Sequence, residues 1–529
     1  MNSIPIWPSP AARAPISILG VRFDNVTISE TLELIERMIA SRRPHYAVTA
    51  NVDFVVQAQS DVELRRIFFE AHLVLCDGTP LVWASRLLGN RLRERVAGAD
   101  VVPLLLQLAD HKQYRVFFLG AAPESIERAV ANTRRLHPDL NICGFYSPPF
   151  NKLLEMDHEE IRKRILEAQP DLLFVSLGCP KQEKWVAMNY RALGVPVTIG
   201  VGATIDFLAG QVKRAPLWMQ RNGLEWIFRL IQEPRRLYRR YSKDIWVFGV
   251  RLAAQLWRLR HKWRGLRSND GHTAGVAETL TDGTIALPPV LNCAALQQIR
   301  DEFEEIASGR GDCFLDLGKV ETIDSSGMAA LMTLRQQLAL QGRALVLIAP
   351  ARAVSEGLSF MRLESFFDSA ENLGEAREML LTRARESKRS VEFERGGAFR
   401  ALVWYGEIAA VNAEDVWERT RNHIEQAIGW RDASKMPEPE SLVIDLSVVR
   451  FIDSSGLGLM VRAKKFARQA GINLRFTNLQ PAVVNVVQIA RLEEFLLDQK
   501  RERFPLLSQI RAAASCKPEP ESEAMVMGK

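Results

Sequence analysis

The chain has few cysteines, and their spacing builds no site. Six cysteines are spread over 529 residues, and no two of them form a Cys-X-X-Cys pair. This spacing indicates neither a disulfide framework nor a zinc site. We therefore expect no bound metal and a reducing, cytoplasmic compartment.

Long hydrophobic runs are also missing. The N-terminal stretch MNSIPIWPSPAARAP is broken by prolines and lacks the apolar core of a signal peptide. No run reaches the ~18 uninterrupted apolar residues of a membrane-spanning helix. The nearest candidate, residues 245–257, contains Arg251 and Gln255. Any membrane contact is therefore expected at the bilayer surface.

Acidic residues are scarce in one segment. Residues 213–267 contain fifteen Lys or Arg and three Asp or Glu, a local charge of +12 in a chain whose total is +6. Five of the eleven tryptophans lie in the same segment. Arginine interleaved with tryptophan suits a diphosphate or an anionic lipid surface. A solvated basic helix with ordinary core tryptophans is the alternative.

The length predicts three or four domains. The first spans 16–243, with a basic helical appendage at about 213–267. Short apolar runs that end in glycine or a turn alternate there with helical segments. This pattern is typical of a Rossmann-like α/β fold with an open, largely parallel sheet. Ligands bind such sheets at the carboxyl ends of the strands.

Asp77 is the sharpest single candidate at those strand ends. It follows an apolar strand in a glycine-containing turn, where a carboxylate can act as general base on a bound hydroxyl. The alternative is an aspartate that bonds its own turn. Thr49 and Asn51 either hold a sugar hydroxyl, orient Asp77 or cap a helix. Residues 178–183 offer backbone N–H groups and a lysine to an anion.

Further short motifs follow one another along residues 16–243. They are Thr-Ala-Asn-Val-Asp at 49–53, Cys-Asp-Gly-Thr-Pro at 76–80, Arg-Val-Ala-Gly-Ala-Asp at 95–100, Phe-Phe-Leu-Gly at 117–120, Ser-Leu-Gly-Cys-Pro-Lys-Gln-Glu at 176–183, Gly-Ala-Thr-Ile-Asp at 202–206, Lys-Arg-Ala-Pro at 213–216, Gly-Leu-Glu-Trp at 223–226 and Glu-Pro-Arg-Arg at 233–236. In this order they resemble the WecG/TagA/CpsF glycosyltransferase family. One departure is Ala203-Thr204, where the family more often has a second glycine or small residue.

The resemblance implies an inverting, metal-independent hexosyltransferase of surface polysaccharide biosynthesis that needs no cofactor. The donor would be a UDP-sugar, with N-acetylmannosamine or a related hexose. The acceptor would be a sugar on undecaprenyl diphosphate at the inner, cytoplasmic face of the cell membrane. The identity of both sugars stays open.

The resemblance also assigns roles to residues. It makes Asp77 the catalytic base, with Thr49 beside it. The expected substrate-binding residues are Asn51, Gly78, Gln182, Arg229, Arg235, Arg236, Arg239 and Arg240. The arginines would neutralise the diphosphate as it leaves, because a departing diphosphate builds negative charge in the transition state.

Beyond residue 241 the pattern suits an amphipathic helix, which either docks on the lipid surface or packs on the next domain. Residues 268–282 read as a polar linker. Residues 283–384 and 391–510 contain an internal duplication, and 511–529 are expected to form a disordered tail.

Each copy of the duplication carries Asp-Ser-Ser-Gly between an apolar strand and a helix, at 324–327 and 453–456. Hydroxyls at a helix start could hold a phosphate, or the motif could only cap the helix. Both copies resemble STAS domains, the anti-sigma-factor-antagonist fold, which bind protein partners. Ser325 and Ser454 match the serine that is phosphorylated by a kinase in some STAS domains, and the resemblance leaves open whether either is modified here.

The sequence is compatible with three functions for the whole chain. The first is a glycosyltransferase with two regulatory or docking modules, and the second is an inactive STAS signalling scaffold at the membrane. The third, nucleic-acid binding by the basic segment, lacks any accompanying motif, so no nucleic acid is expected as partner. Because Thr49, Asp77, Gln182 and the arginines are all present, the sequence favours the enzyme.

Overall fold

The computed structural model describes residues 14–212, 214–221, 223–232, 234–266, 278–279, 284–388, 391–396, 399–433 and 442–497. The tail at 511–529 and most of the linker at 268–282 lie outside the described residues.

The N-terminal domain alternates strands and helices, as its sequence pattern predicts. Its strands are β1 (Ile16–Ile18), β2 (Val21–Phe23), β3 (His45–Ala50), β4 (Leu73–Cys76), β5 (Val116–Gly120), β6 (Ile142–Tyr146), β7 (Leu172–Ser176) and β8 (Val197–Gly200). Its helices are α1 (Ile28–Ala40), α2 (Val52–Ala58), α3 (Val62–Glu70), α4 (Thr79–Leu87), α5 (Gly98–Lys112), α6 (Pro123–Leu136), α7 (His158–Ala168), α8 (Lys181–Leu193) and α9 (Thr204–Leu208). Thr27 and Glu30 form the capping box that starts α1.

The main sheet is parallel, in the order β4-β3-β8-β7-β5-β6. Alternate residues of a strand face opposite sides, so Leu173 and Val175 of β7 join one apolar core and Leu172 and Phe174 join the other. Helices cover both faces. The prediction of a Rossmann-like parallel α/β domain is confirmed.

The basic appendage is helical. It consists of α10 (Leu217–Arg221), α11 (Glu225–Gln232) and the long α12 (Pro234–Leu266). One face of α12 is buried through Phe248 and Gln255, while Trp246 on the opposite face is 73% exposed. Across the described ranges, no helix is both long and apolar enough to cross a bilayer.

The first small α/β domain is built around a mostly parallel sheet in the order β15-β14-β12-β10-β9. Its strands are β9 (Glu278–Thr279), β10 (Ile285–Ala286), β11 (Val290–Leu291), β12 (Cys313–Asp316), β13 (Thr322–Ile323), β14 (Leu345–Ile348) and β15 (Asp368–Ala370). Its helices are α13 (Cys293–Gln298), α14 (Arg300–Ser308), α15 (Ser325–Leu340), α16 (Arg352–Phe360) and α17 (Leu373–Lys388). Because β9 pairs with β10, the sheet begins inside the stretch read as a linker.

The second small domain repeats the arrangement around the sheet β16-β17-β18-β19. Its strands are β16 (Val391–Gly396), β17 (Phe399–Ile408), β18 (Leu442–Ile452) and β19 (Leu474–Thr477). Its helices are α18 (Ala413–Ala433), α19 (Ser454–Gln469), α20 (Pro481–Ile489) and α21 (Glu493–Leu497).

The Asp-Ser-Ser-Gly motif starts the corresponding helix in each copy. The Asp324 carboxylate accepts hydrogen bonds from the backbone N–H groups of Ser326 and Gly327 at 2.7 and 2.9 Å, so it caps α15. Asp453 caps α19 in the same way, at 2.8 and 3.0 Å. The cap is the aspartate, which leaves the serine side chains for other contacts.

Candidate active site

The predicted site residues after β3 and β4 lie side by side. The backbone N–H of Asp77 donates to Ala50 O at 2.9 Å, which aligns the ends of the two strands. A β-carbon on Gly78 would lie 3.7 Å from Cβ of Asn51, so these two residues are adjacent. Asn51 caps α2 by accepting from the backbone N–H of Asp53 at 3.0 Å.

Thr49 is a buried neighbour of this edge. Its hydroxyl donates to Gly200 O, at the end of β8, at 3.0 Å. A β-carbon on Gly98 would lie 3.5 Å from Oγ1 of Thr49 and 3.3 Å from Oγ1 of Thr204. Three motifs that are far apart in the sequence, at 49–53, 95–100 and 202–206, therefore meet at one point of the sheet edge.

Asp77 is a carboxylate whose proton affinity is altered by its surroundings. It is partly buried, and burial raises its pKa from the usual value to about 6. The cations Arg95 and Arg229 act in the opposite direction and favour the ionised form. A carboxyl group with a pKa near 6 is ionised at neutral pH and is more basic than an ordinary aspartate, which suits a general base.

Charged side chains of alternating sign surround Asp77. Arg229 lies 3.5 Å from Glu225, and Glu225 lies 2.9 Å from Arg95. Arg95 lies 2.7 Å from Asp100, and Asp100 lies 2.6 Å from Arg214. The chain of ion pairs fixes Arg95 and Arg229 close to Asp77 without neutralising Asp77 by direct contact.

Arg95 is a site residue that sequence reasoning missed. Its motif at 95–100 contributes to the family resemblance, which assigns no role to Arg95. The available signal was a cation that follows the Asp77 turn at the start of a motif leading into a helix. Its proximity to Asp77 comes from the backbone, because Val96 N donates to Cys76 O at 2.9 Å.

The appendage closes over this edge of the sheet. Gly223 has a φ of +73°, and a β-carbon there would overlap the side chain of Thr79. Arg229 of α11 lies over the ring of Phe207, with 5.0 Å from Cζ to the centroid. The structure therefore places Arg229 close to Asp77, and its role in substrate binding stays a prediction of the family resemblance.

The arginines of α12 differ in their contacts and exposure. Arg240 pairs with Asp53, beside the capping residue of α2, and it also interacts electrostatically with Cys179. Arg235 and Arg239 are exposed. The side chain of Arg236 lies outside the described part of the structure. Arg240 therefore lies between the start of α2 and the loop before α8, where an anion could be held.

Gln182, on α8, is buried beside the turn after β8 and does not line an open cleft. It is 1% exposed, its Oε1 accepts from Gly202 N at 3.3 Å, and its Nε2 donates to Glu183 at 2.6 Å. Burial raises the pKa of Glu183 to about 8. Gln182 supports the turn after β8, so the predicted contribution of Gln182 to substrate binding would pass through that turn.

Comparison with known proteins agrees with this arrangement. The model of the glycosyl transferase WecG/TagA/CpsF family matches residues 16–262. Two STAS-type models, described as "Mlab, STAS domain" and "STAS domain", match residues 274–375 and 394–505.

Relatives resemble the N-terminal domain. An N-acetylglucosaminyldiphosphoundecaprenol N-acetyl-beta-D-mannosaminyltransferase of Staphylococcus aureus (strain MW2) is 30% identical over 45% of this chain and 92% of its own. The protein of the same name from Bacillus subtilis (strain 168) is 35% identical over 43% of this chain and 87% of its own. A solved structure described as "The overall structure of SLC26A9" shares 15% identity over 36% of each chain, with a TM-score of 0.17.

Proposed function

Because the chain belongs to the WecG/TagA/CpsF glycosyltransferase family and carries two STAS domains, we propose that it transfers an N-acetylmannosamine-type hexose from UDP to a polyprenyl-diphosphate-linked sugar. The acceptor and the sugar follow from the names of its relatives. The UDP donor, the inverting mechanism and a role in surface polysaccharide synthesis follow from the family resemblance.

The observation that carries the proposal is the environment of Asp77. An ionised carboxylate with a pKa of about 6 stands at the carboxyl end of β4, beside Thr49, Asn51 and Arg95. In the proposed step Asp77 takes the proton of the acceptor hydroxyl. The hydroxyl oxygen then forms a bond to the anomeric carbon, and the bond from that carbon to the diphosphate oxygen breaks with inversion.

The cations of the appendage suit the leaving group. Without a metal, the negative charge that develops on UDP must be stabilised by fixed cations or N–H dipoles. Arg229 stands near Asp77, and Arg240 stands between α2 and the loop before α8. Arg235, Arg236 and Arg239 would add to the positive field from the first turns of α12.

The outer face of α12 suits the surface of a membrane. Ile245, Trp246 and Val250 are 57, 73 and 53% exposed and lie on one face of the helix, with exposed Lys243 close by. Aromatic and aliphatic side chains next to cations are typical of helices that lie in the lipid interface. A lipid-linked acceptor at the inner face of the cell membrane would bring its substrate to this side of the enzyme.

The test is acceptor-dependent release of UDP from a panel of UDP-sugars, with a polyprenyl-diphosphate-linked N-acetylglucosamine as acceptor. Asp77→Asn should lose about 100-fold or more of the rate, because loss of a general base typically costs that much. Asp139→Asn, an exposed aspartate far from the site, is the matched control and should keep full activity. Full activity after treatment with EDTA is also expected.

Two outcomes would count against the proposal. If the folded wild-type protein releases no UDP from any donor on the panel, the inactive scaffold becomes the better explanation. If Asp77→Asn and Asp139→Asn release UDP equally fast, Asp77 is not the base.

A further inference from the structure

The Asp-Ser-Ser-Gly turns of both STAS domains face the transferase domain. Ser325 and Ser454 are 0 and 4% exposed. Nε2 of Gln255, on α12, donates to the hydroxyl of Ser325 at 2.9 Å. The backbone N–H and the hydroxyl of Ser454 donate to the carboxylate of Glu63, on α3, at 2.5 and 2.9 Å.

We propose that these turns are docking sites for a polar side chain carried on a helix, and that the partner of both STAS domains is the transferase domain of the same chain. Each turn is then already occupied. Gln255 occupies the turn of the first STAS domain, and Glu63 occupies the turn of the second. A second protein could reach either turn only after that domain leaves the transferase.

The second STAS domain binds a carboxylate. Glu63 is 3% exposed, and its negative charge is balanced by Lys184 at 2.7 Å. Lys184 also pairs with Asp61 at 2.8 Å. The start of α19 adds the backbone N–H of Ser454, which donates to this carboxylate, and the positive end of a helix dipole. A buried carboxylate is costly unless it is paired and hydrogen-bonded, and this one receives both kinds of contact.

Contacts around Glu63 extend the same interface. Arg66 pairs with Glu407 at 2.5 Å and lies over the ring of Phe451 at 4.4 Å. The backbone N–H of Val62 donates to Oδ1 of Asn485 at 3.4 Å. The first half of α3 therefore contacts the second STAS domain through Val62, Glu63 and Arg66.

The first STAS domain binds a carboxamide. Gln255 is 2% exposed, accepts from Leu19 N at 3.1 Å and donates to Ser17 O at 3.3 Å as well as to Ser325. Next to it, Nδ2 of Asn90 donates to the hydroxyl of Ser326 at 3.0 Å. The amide of Gln255 thus joins β1, α12 and the turn in one buried set of hydrogen bonds.

Helix α3 lies between the two STAS domains. Its residue Phe69 packs on Phe366 and Phe367 of the first domain, with ring centroids 5.3 and 5.6 Å apart. Nε2 of Gln336, also in the first domain, donates to Glu70 O at 2.9 Å. The two domains therefore hold one transferase helix from both sides.

The docked STAS domains also contact elements of the proposed active site. The effect on activity inferred here rests on the proposed function. Lys184 is on α8, two positions after Gln182, whose amide supports the turn at Gly202. Gln255 is on α12, which also carries Arg240. Release of the STAS domains is expected to loosen α8 and α12 and so to raise the KM for the donor.

The test is hydrogen–deuterium exchange of the full chain with a negative charge introduced at the second turn. Ser454→Asp places a carboxylate against Glu63, so the peptides of α3 and α19 should exchange about tenfold faster or more. Ser455→Asp is the matched control, because Ser455 is the next residue of the same turn and should leave α3 unchanged. The double variant Ser454→Asp with Glu63→Gln removes the repulsion and should restore slow exchange.

The first turn is tested separately. Gln255→Glu places a carboxylate against Ser17 O, so α12 and α15 should exchange faster, while Gln297→Glu, at an exposed glutamine of the first STAS domain, should not change them. Unchanged exchange at α3 in Ser454→Asp, or no rescue by Glu63→Gln, would overturn the proposal for the second turn. These readouts need no substrate, so they stand apart from any failure of the transferase assay.

Discussion

Gly223 lies directly against Thr79 and joins the appendage to the turn that carries Asp77. Gly223 has a φ of +73°, which favours glycine, and a β-carbon at this position would overlap the Thr79 side chain. Thr79 is the first residue of α4, two positions after Asp77. The close approach of glycine thus sets how the basic helices close over the proposed base.

The first prediction tests this contact. Gly223→Ala should lower kcat/KM and the free energy of unfolding, because the new methyl group must displace either Thr79 or the appendage. The control is Gly210→Ala, which has a similar φ of +72° but no atom within 4 Å of the new β-carbon. Gly210→Ala should show only the backbone cost of about 1–2 kcal/mol. Equal losses of activity in the two variants would contradict the proposed closure.

The second prediction is a pH dependence. A general base works only when it is deprotonated, and the pKa of Asp77 is about 6. The kcat/KM should therefore be level above pH 6 and fall by about tenfold per pH unit below it. The measurement is UDP release at low donor concentration from about pH 5 to about pH 8. A profile that stays level down to pH 5 would show that the group responsible has an ordinary aspartate pKa.

The third prediction concerns Arg95. Because the charge of Arg95 lowers the pKa of Asp77, Arg95→Gln should move the acidic inflection of the pH profile to higher pH. Arg95→Lys keeps the charge and should move the inflection less, although it loses the paired geometry with Asp100 and Glu225. An inflection that does not move in Arg95→Gln would remove Arg95 from the electrostatics of the site.

The parts of the molecule that could be predicted are those encoded locally. The apolar run of β4 and the Asp77-Gly78 turn are neighbours in sequence, and a short continuous apolar run that ends in a glycine turn predicts them. The pair between Arg95 and Glu225 joins residues 130 positions apart, and the contact of Ser454 with Glu63 spans 391. Such pairs depend on how separate elements pack, which no local pattern specifies.

The fourth prediction concerns the outer face of α12. Trp246→Ser should reduce binding to anionic liposomes by about tenfold or more, since burying a large apolar side chain contributes about 1.5–3 kcal/mol. Trp83→Ser is the control, because Trp83 is also exposed, at 45%, but lies on α4 of the transferase domain. Co-sedimentation at matched salt measures both variants. Equal loss of binding in both would show that α12 is not the lipid-contacting face.

The last prediction separates the two cores that meet at α3. Phe68 and Phe69 are adjacent and almost fully buried, but Phe68 belongs to the transferase core and Phe69 to the core of the first STAS domain. Each truncation to alanine should cost about 3–5 kcal/mol. In denaturant unfolding followed by hydrogen–deuterium exchange, Phe68→Ala should first expose β3 and β4, whereas Phe69→Ala should first expose β12 and α15. If both variants open the same elements first, the transferase and STAS domains unfold as one cooperative unit and α3 does not divide them.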